Sequence, residues 1–408
     1  MESSESDSNK SSQESKQKTE KDELVGGIPT EEEFQKLVRP SMDIHKDMGS
    51  LRVHFKKTEP RPKFVKHYIL GQKLGEGAYS KVKEGIDSQT LRIVAVKIVD
   101  KRFLKKVRGG MENVKREIAI LKQLKGHRNI IELIEVIDEP NAPKLYIVME
   151  LANGCSLQQL TESAPNNRLP HQQAREYFRQ LVEGLEFMHS RNVVHRDIKP
   201  SNLMLTTKGE LKISDFGVAE FLDRYAELDL VTRSTGSPAF QAPEIAKGET
   251  DFSGRKVDIW AAGVTLYYCL TGRLPFDGNN LFELFEKIGK GEFEVPSFVE
   301  SSAKDLLLHV LDPVQQRRYS IEEIKRHPFL NEIDDVKVYG SFVPIPTRKP
   351  QVLNLVARLF AEESSVTGGG ESFMDEKEEE EDDDDDEEEE EEQSTASQKT
   401  FSWRCSIS

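Results

Sequence analysis

His195-Arg-Asp-Ile-Lys-Pro-Ser-Asn202 is followed, thirteen residues after its last position, by Asp215-Phe-Gly217. A His, an Arg and an Asp in a row are ordinarily surface or capping residues. Here they follow an apolar pair, Val193 and Val194, and Lys199, Asn202 and Asp-Phe-Gly recur at fixed offsets behind them. The two segments supply an acid that can orient a hydroxyl and two hard oxygen donors for a divalent cation. That set suits phosphoryl transfer, whose charge-spread transition state needs positioning and neutralisation more than covalent work. In that chemistry Asp197 accepts the hydroxyl proton and Lys199 neutralises charge on the transferred group. Asn202 and Asp215 hold Mg²⁺, which takes few protein ligands and bridges the phosphates of ATP.

Working toward the N-terminus, Tyr68 to Ile86 reads as a strand, a glycine turn and a second strand. Gly75 and Gly77 let backbone N–H groups approach ATP phosphates; Ser80 stands where a third glycine is usual. Leu74, Val82 and Ala95 are assigned to the nucleotide, with Val82 packing on adenine. Ile93 to Val99 is a β-branched run suited to a buried strand, and Lys97 interrupts it. A lysine among such neighbours needs an anion or a route to water. ATP phosphates and a carboxylate on the next helix, Glu112 to Leu124, provide the anion. Glu117 is the expected partner; Glu112, near the helix start, is explained by the helix dipole. Strands around Ile130 to Ile137 and Leu145 to Met149 complete a small lobe. Met149 then lines the back of the pocket, and Glu150 to Ala152 offer backbone groups to adenine.

Toward the C-terminus the chain turns helical. Gln172 to Ser190 has apolar residues at Tyr177, Leu181, Leu185 and Met188 and leads into the opening stretch. Strands at Leu203 to Leu205 and Leu211 to Ile213 present Asp215, and the segment that follows runs to Glu244. Glu244 is expected to pair with a buried arginine, Arg318, and Asp258 to hold the backbone near Asp197; both acids are supports. The fold class is therefore α+β, with two lobes: a small antiparallel sheet with one main helix, and a larger, mainly helical lobe.

Tyr68 to Phe329 resembles a eukaryotic protein kinase. The Lys199 position and Gly-Ser-Pro-Ala-Phe at 236–240 resemble the Ser/Thr-specific branch. LGEGAYSKVKE, the ENVKREI helix, GSPAFQAPEIAKG and the long FSGRKVDIWAAGVTLYYCLTGRLPF segment resemble the liver kinase B family, as does VPIPTRKP at 343–350. The resemblance implies an upstream kinase that phosphorylates the activation-loop threonine of AMP-activated protein kinase and its relatives, in energy and polarity signalling. It also implies a pseudokinase adaptor with a helical-repeat scaffold as activators. Two residues depart from that family, Arg196 where Lys is common and Phe216 where Leu is. An arginine beside the catalytic Asp makes a loop phosphate useful, so Thr232, Ser234 and Thr235 are candidate regulatory sites. The alternatives are a calcium/calmodulin-dependent kinase kinase and a mainly non-catalytic scaffold.

The chain divides into a polar tail (1–40), a flank (41–67), the kinase domain (68–329), a second flank (330–364) and an acidic tail (365–408). The second flank offers Val352, Leu355, Val356, Leu359 and Phe360 on one helical face, expected to pack on the domain or a partner scaffold, with a calmodulin-type target and an unpartnered surface helix as alternatives. Net charge is -15, and Glu378 to Glu392 is an unbroken acidic run of 15 residues, so the remainder sums to about zero. The acidity belongs to the tail, and with no basic stripe the composition excludes nucleic acid as a partner. No apolar run approaches the ~20 residues of a membrane span, and the N-terminus has no signal-like apolar stretch. Cys155, Cys269 and Cys405 are odd in number and lack metal-ligand spacing. A cytoplasmic protein, also nuclear, is expected. The ending Cys405-Ser-Ile-Ser408 fits a farnesylation box, which alone gives weak, reversible membrane attachment.

Overall fold

The computed structural model describes residues 63–77, 79–107, 109–222, 230–231, 236–249, 252–331, 342–346 and 350–353. Thr232, Ser234, Thr235, Leu355, Val356, Leu359, Phe360, the acidic tail and Cys405 lie outside the described residues. The first lobe is an antiparallel sheet of six strands: β1 (Lys63–Val65), β2 (Tyr68–Gly77), β3 (Ser80–Asp87), β4 (Ile93–Asp100), β5 (Leu133–Asp138) and β6 (Lys144–Glu150). Their order is β1-β2-β3-β4-β6-β5. Two helices, α1 (Lys101–Lys106) and α2 (Gly110–Gln123), interrupt the strand sequence.

Alternation along the central strand explains the division of labour between its faces. Val94 and Val96 are fully buried with Val148, Tyr68, Leu70 and Ile137. Ala95 and Lys97 therefore point to the other face, where Ala95 pairs with Met149 and Lys97 with Val82 and Ile147. Helix α2 is capped by Gly109, whose φ of +74° lies in the left-handed region that favours glycine. Val114, Ile118 and Leu121 are buried at helical spacing, and Glu117 is buried on the same stripe.

The second lobe contains α3 (Leu157–Ser163), α4 (His171–Ser190), α5 (Pro243–Ala246), α6 (Gly254–Thr271), α7 (Leu281–Lys290), α8 (Ser301–Val310), α9 (Ile321–Arg326) and α10 (Pro328–Asn331). Short antiparallel pairs join β7 (Val193–Val194) to β10 (Glu220–Phe221), β8 (Leu203–Leu205) to β9 (Leu211–Ile213), and β11 (Leu230–Val231) to β12 (Phe252–Ser253). Helix α6 is buried along nearly its whole length, with Trp260 stacked on Phe276 at 5.6 Å between ring centroids. This is the two-lobed α+β class expected from the sequence. Among the described residues no helix is long and apolar enough to cross a membrane.

The packed body extends past the 68–329 span on both sides. At its start, β1 pairs with β2 in the main sheet. Beyond its end, the Gln173 side chain accepts from Val343 N–H (2.8 Å) and donates to Val343 C=O (2.9 Å), and Ile345 packs on the large core. Val352 is fully buried against Ile69 and Ile86, and its N–H donates to Glu84 Oε2 at 2.9 Å. Segments 342–346 and 350–353 thus attach to different lobes. Val352→Ala should cost about 1–2 kcal/mol through lost burial and the space left behind. A chemical-denaturation midpoint equal to wild type would show that this contact does not hold the second flank in solution.

Candidate active site

Asp258, fully buried near the start of α6, organises the loop that follows β7. Its Oδ2 accepts from His195 N–H (2.9 Å) and its Oδ1 from Arg196 N–H (2.8 Å); His189 Nε2 lies 2.9 Å from Oδ2. These anchors hold Arg196 at φ +67°, and Asp215 sits at φ +63°. Left-handed conformations in non-glycine residues persist only where surroundings impose them. His195 Nε2 lies 3.0 Å from Ser214 C=O and its ring meets Phe216 edge-on at 5.1 Å, so the two motifs of the opening stretch touch directly.

The Asp197 carboxylate is gripped on both oxygens. Oδ1 accepts from Ser237 N–H at 2.8 Å. Oδ2 lies 2.8 Å from Lys199 Nζ and accepts from Asn202 Nδ2 at 3.0 Å. Lys199 Nζ also donates to Ser237 Oγ at 2.7 Å, closing a ring of Asp197, Lys199 and Ser237. An acid so fixed has one geometry to offer an incoming hydroxyl.

Asn202 and Asp215 are brought side by side, because Ser214 N–H and Oγ both donate to Asn202 C=O at 2.9 Å. Asn202 spends its amide hydrogens on Asp197, leaving Oδ1 with no donor among the described residues. No cluster of three or more His, Cys, Asp or Glu is present among the described residues. The Asn202 amide oxygen and the Asp215 carboxylate, with remaining positions left to phosphates and water, are hard donors that fit a small divalent cation.

Lys97 Nζ lies 2.7 and 2.9 Å from the two Glu117 oxygens. Burial works to lower the Lys97 pKa, but the Glu117 charge and hydrogen bond, with Asp215 beyond, outweigh it and hold the pKa above the usual lysine value. Lys97 is therefore a fixed cation between the helix and Asp215. Glu112 stays in the exposed first turn of α2.

Val82, Ala95, Lys97 and Met149 share one face of the sheet by register. Leu74 falls in the irregularity between the Lys73 and Gly75 pairings, and Gly75 and Gly77 pair with Val82 and Ser80 at the tip of the β2–β3 hairpin. A Cβ on Gly75 would meet nothing within 4 Å, which leaves its backbone open to approach. At the chain crossing between lobes Ala152 is buried, and Glu150 N–H is spent on Glu132 C=O at 2.9 Å. That N–H is therefore committed, and the other backbone groups of residues 150–152 are the ones open to a ligand.

Two contacts were not read from the sequence. Gly236 lies at φ +99°, and a Cβ there would fall 2.4 Å from Arg196 C=O; only glycine lets Ser237 reach Asp197. The glycine itself was the available signal. Arg196 donates to Val218 C=O at 2.9 Å and lies 2.6 Å from Glu220 Oε2, so a carboxylate already faces it. That pairing follows from the β7–β10 register, which sequence spacing does not reveal.

The protein kinase domain family matches residues 68–330. Serine/threonine-protein kinase STK11 of Rattus norvegicus is 46% identical over 303 residues, covering 74% of this chain and 68% of that protein. The Gallus gallus protein of the same name is 44% identical over 321 residues, 78% of this chain and 72% of its own. Serine/threonine-protein kinase par-4 of Caenorhabditis briggsae is 39% identical over 270 residues, 65% of this chain and 41% of that protein.

Proposed function

Since this chain belongs to the protein kinase family and, within it, to the serine/threonine-protein kinases of the STK11 type, we propose that it is an upstream kinase for the activation-loop threonine of AMP-activated protein kinase-related kinases. It is a serine/threonine protein kinase that uses ATP and a divalent cation. We assign that cation as Mg²⁺, and a pseudokinase adaptor with a helical-repeat scaffold as its activating partners.

The observation that carries the catalytic assignment is the Asp197 carboxylate, held between Lys199 and Ser237 with Asn202 behind it. ATP supplies the phosphoryl group, and the cation offsets its charge. Asp197 takes the proton of the substrate hydroxyl and aims its oxygen. Lys199, two residues on, neutralises charge growing on the group in flight. Asn202 Oδ1 and the Asp215 carboxylate would hold the cation, and Lys97, locked by Glu117, would hold phosphate oxygens. Leu74, Val82, Ala95 and Met149 enclose adenine, with backbone groups of residues 150–152 at its edge.

The test is ATP-dependent phosphorylation of a kinase-dead AMP-activated protein kinase catalytic subunit, with and without adaptor and scaffold. Loop-threonine phosphate should rise with the adaptor and vanish in Asp215→Ala. Transfer to generic peptides but never to that threonine would overturn the substrate assignment and leave the kinase. In the same assay a Thr232, Ser234 and Thr235 triple alanine variant examines loop regulation. A phosphate there would compete with Glu220 for Arg196, so unchanged activity would rule out a regulatory role for the three hydroxyls.

A further inference from the structure

Lys212 lies in the middle of β9, and only 7% of its surface is exposed. A lysine there is costly unless it is paired. Its Nζ lies 3.0 Å from Oε1 of Glu150, the last residue of β6 in the other lobe. The second Glu150 oxygen accepts from Glu132 N–H at 3.3 Å, and Glu150 N–H donates to Glu132 C=O at 2.9 Å. The segment before Glu132 is in turn stitched to β9, with Ile131 N–H donating to Ile213 C=O (3.0 Å) and Ile213 N–H to Asn129 C=O (2.8 Å).

These contacts close a ring: β9, residues 129–132, Glu150, and back through the Lys212 side chain. The ring joins two parts of the site that come from different lobes. Asp215 is three residues beyond Lys212, and Ala152 is two beyond Glu150. The backbone bonds fix β9 against residues 129–132, and Glu132 holds the Glu150 backbone. Among the described residues, the ion pair is the member of the ring that reaches directly from β9 to the Glu150 side chain, where the connection between lobes begins.

We propose that Lys212 is a positioning residue for the nucleotide: by holding Glu150 it fixes residues 150–152 at the distance from Asp215 that ATP spans. Lys212 touches no reacting atom, and its effect passes through Glu150. The inference rests on the assignment of residues 150–152 to adenine under the proposed function. Loss of the ion pair leaves the catalytic ring of Asp197, Lys199 and Ser237 intact, so nucleotide affinity suffers more than turnover.

The experiment measures KM for ATP, KM for peptide and kcat on the full chain with Lys212→Met, Lys212→Arg, Glu150→Gln and the Lys212→Met/Glu150→Gln double variant, with melting temperatures alongside. Lys212→Met should raise KM for ATP about five- to tenfold, the range of a coupled contact pair, with a smaller change in kcat and none in KM for peptide. Lys212→Arg keeps a cation in reach and should stay within about twofold of wild type. Both Glu150→Gln and the double variant should match Lys212→Met, because each removes the same pair. A lowered melting temperature with KM for ATP unmoved would reduce Lys212 to structural support and overturn the proposal, as would losses that multiply in the double variant. Absence of phosphate transfer by the wild-type chain would instead remove the kinase reading beneath it, a result distinct from an unmoved KM.

Discussion

Asp197→Asn should lower kcat by about 10²–10⁴-fold, the usual worth of a positioned proton acceptor, with KM for ATP little changed. The carboxamide can still accept from Ser237 N–H through Oδ1. Its NH₂ then faces Lys199 Nζ and Asn202 Nδ2, two donors that met Oδ2 at 2.8 and 3.0 Å. The substitution removes the proton acceptor and sets donor against donor, so Lys199 and the 236–240 loop relax away from the hydroxyl. Asp197→Ala, which introduces no such clash, separates the two effects. If Ala restores most of the rate lost in Asn, the donor-against-donor clash, and not the missing carboxylate, causes the loss. If both are equally slow, proton acceptance and aim are what Asp197 provides. A kcat within tenfold of wild type in both would remove Asp197 from the catalytic role.

The parts of the site legible in the sequence are those where a residue's chemistry conflicts with its surroundings. Lys97 is conspicuous because it breaks a β-branched run, and Glu117 because it stands on the buried stripe of α2 at the turn where an acid must be paired. Glu244 and Arg318, 74 positions apart, meet as the sequence reading expected. The two lobes were legible through the change from strand to helix periodicity near Glu150. What escaped was contact created by register or by the return of distant chain. Glu220 reaches Arg196 because β10 pairs with β7, and Ser237 reaches Asp197 because Gly236 tolerates φ +99°. Val352 was placed on a helical face, but its seat against Ile69 and Ile86 requires the chain to travel back to the first lobe. Nothing in the sequence marks Lys212, a single lysine in a three-residue strand. Only the proximity of Glu150 explains its burial.

Arg318→Ala should lower stability by about 3–5 kcal/mol, the cost of removing one member of a buried ion pair. The guanidinium is fully buried and donates through Nη1 and Nη2 to the two Glu244 oxygens at 2.8 and 2.9 Å. It also donates to Asp312 C=O at 3.2 Å and Lys256 C=O at 2.8 Å, and lies 5.0 Å from the Trp260 ring. Alanine leaves a buried carboxylate and two carbonyls without that donor, beside a cavity. Arg318→Lys keeps the charge but loses the planar fork, so it should fall between alanine and wild type. Against a total of ~5–15 kcal/mol for a typical domain, the alanine variant loses activity by populating unfolded chain. Its kcat per folded molecule should fall less, because Glu244 stands seven residues past Ser237 and outside the ring around Asp197. Denaturant midpoints with activity normalised to folded fraction distinguish these effects. The double variant Glu244→Leu/Arg318→Met removes both charges and should be more stable than Arg318→Ala alone. If it is no better, the backbone carbonyls of Asp312 and Lys256, rather than the stranded carboxylate, set the cost, and Arg318 acts chiefly as a backbone donor.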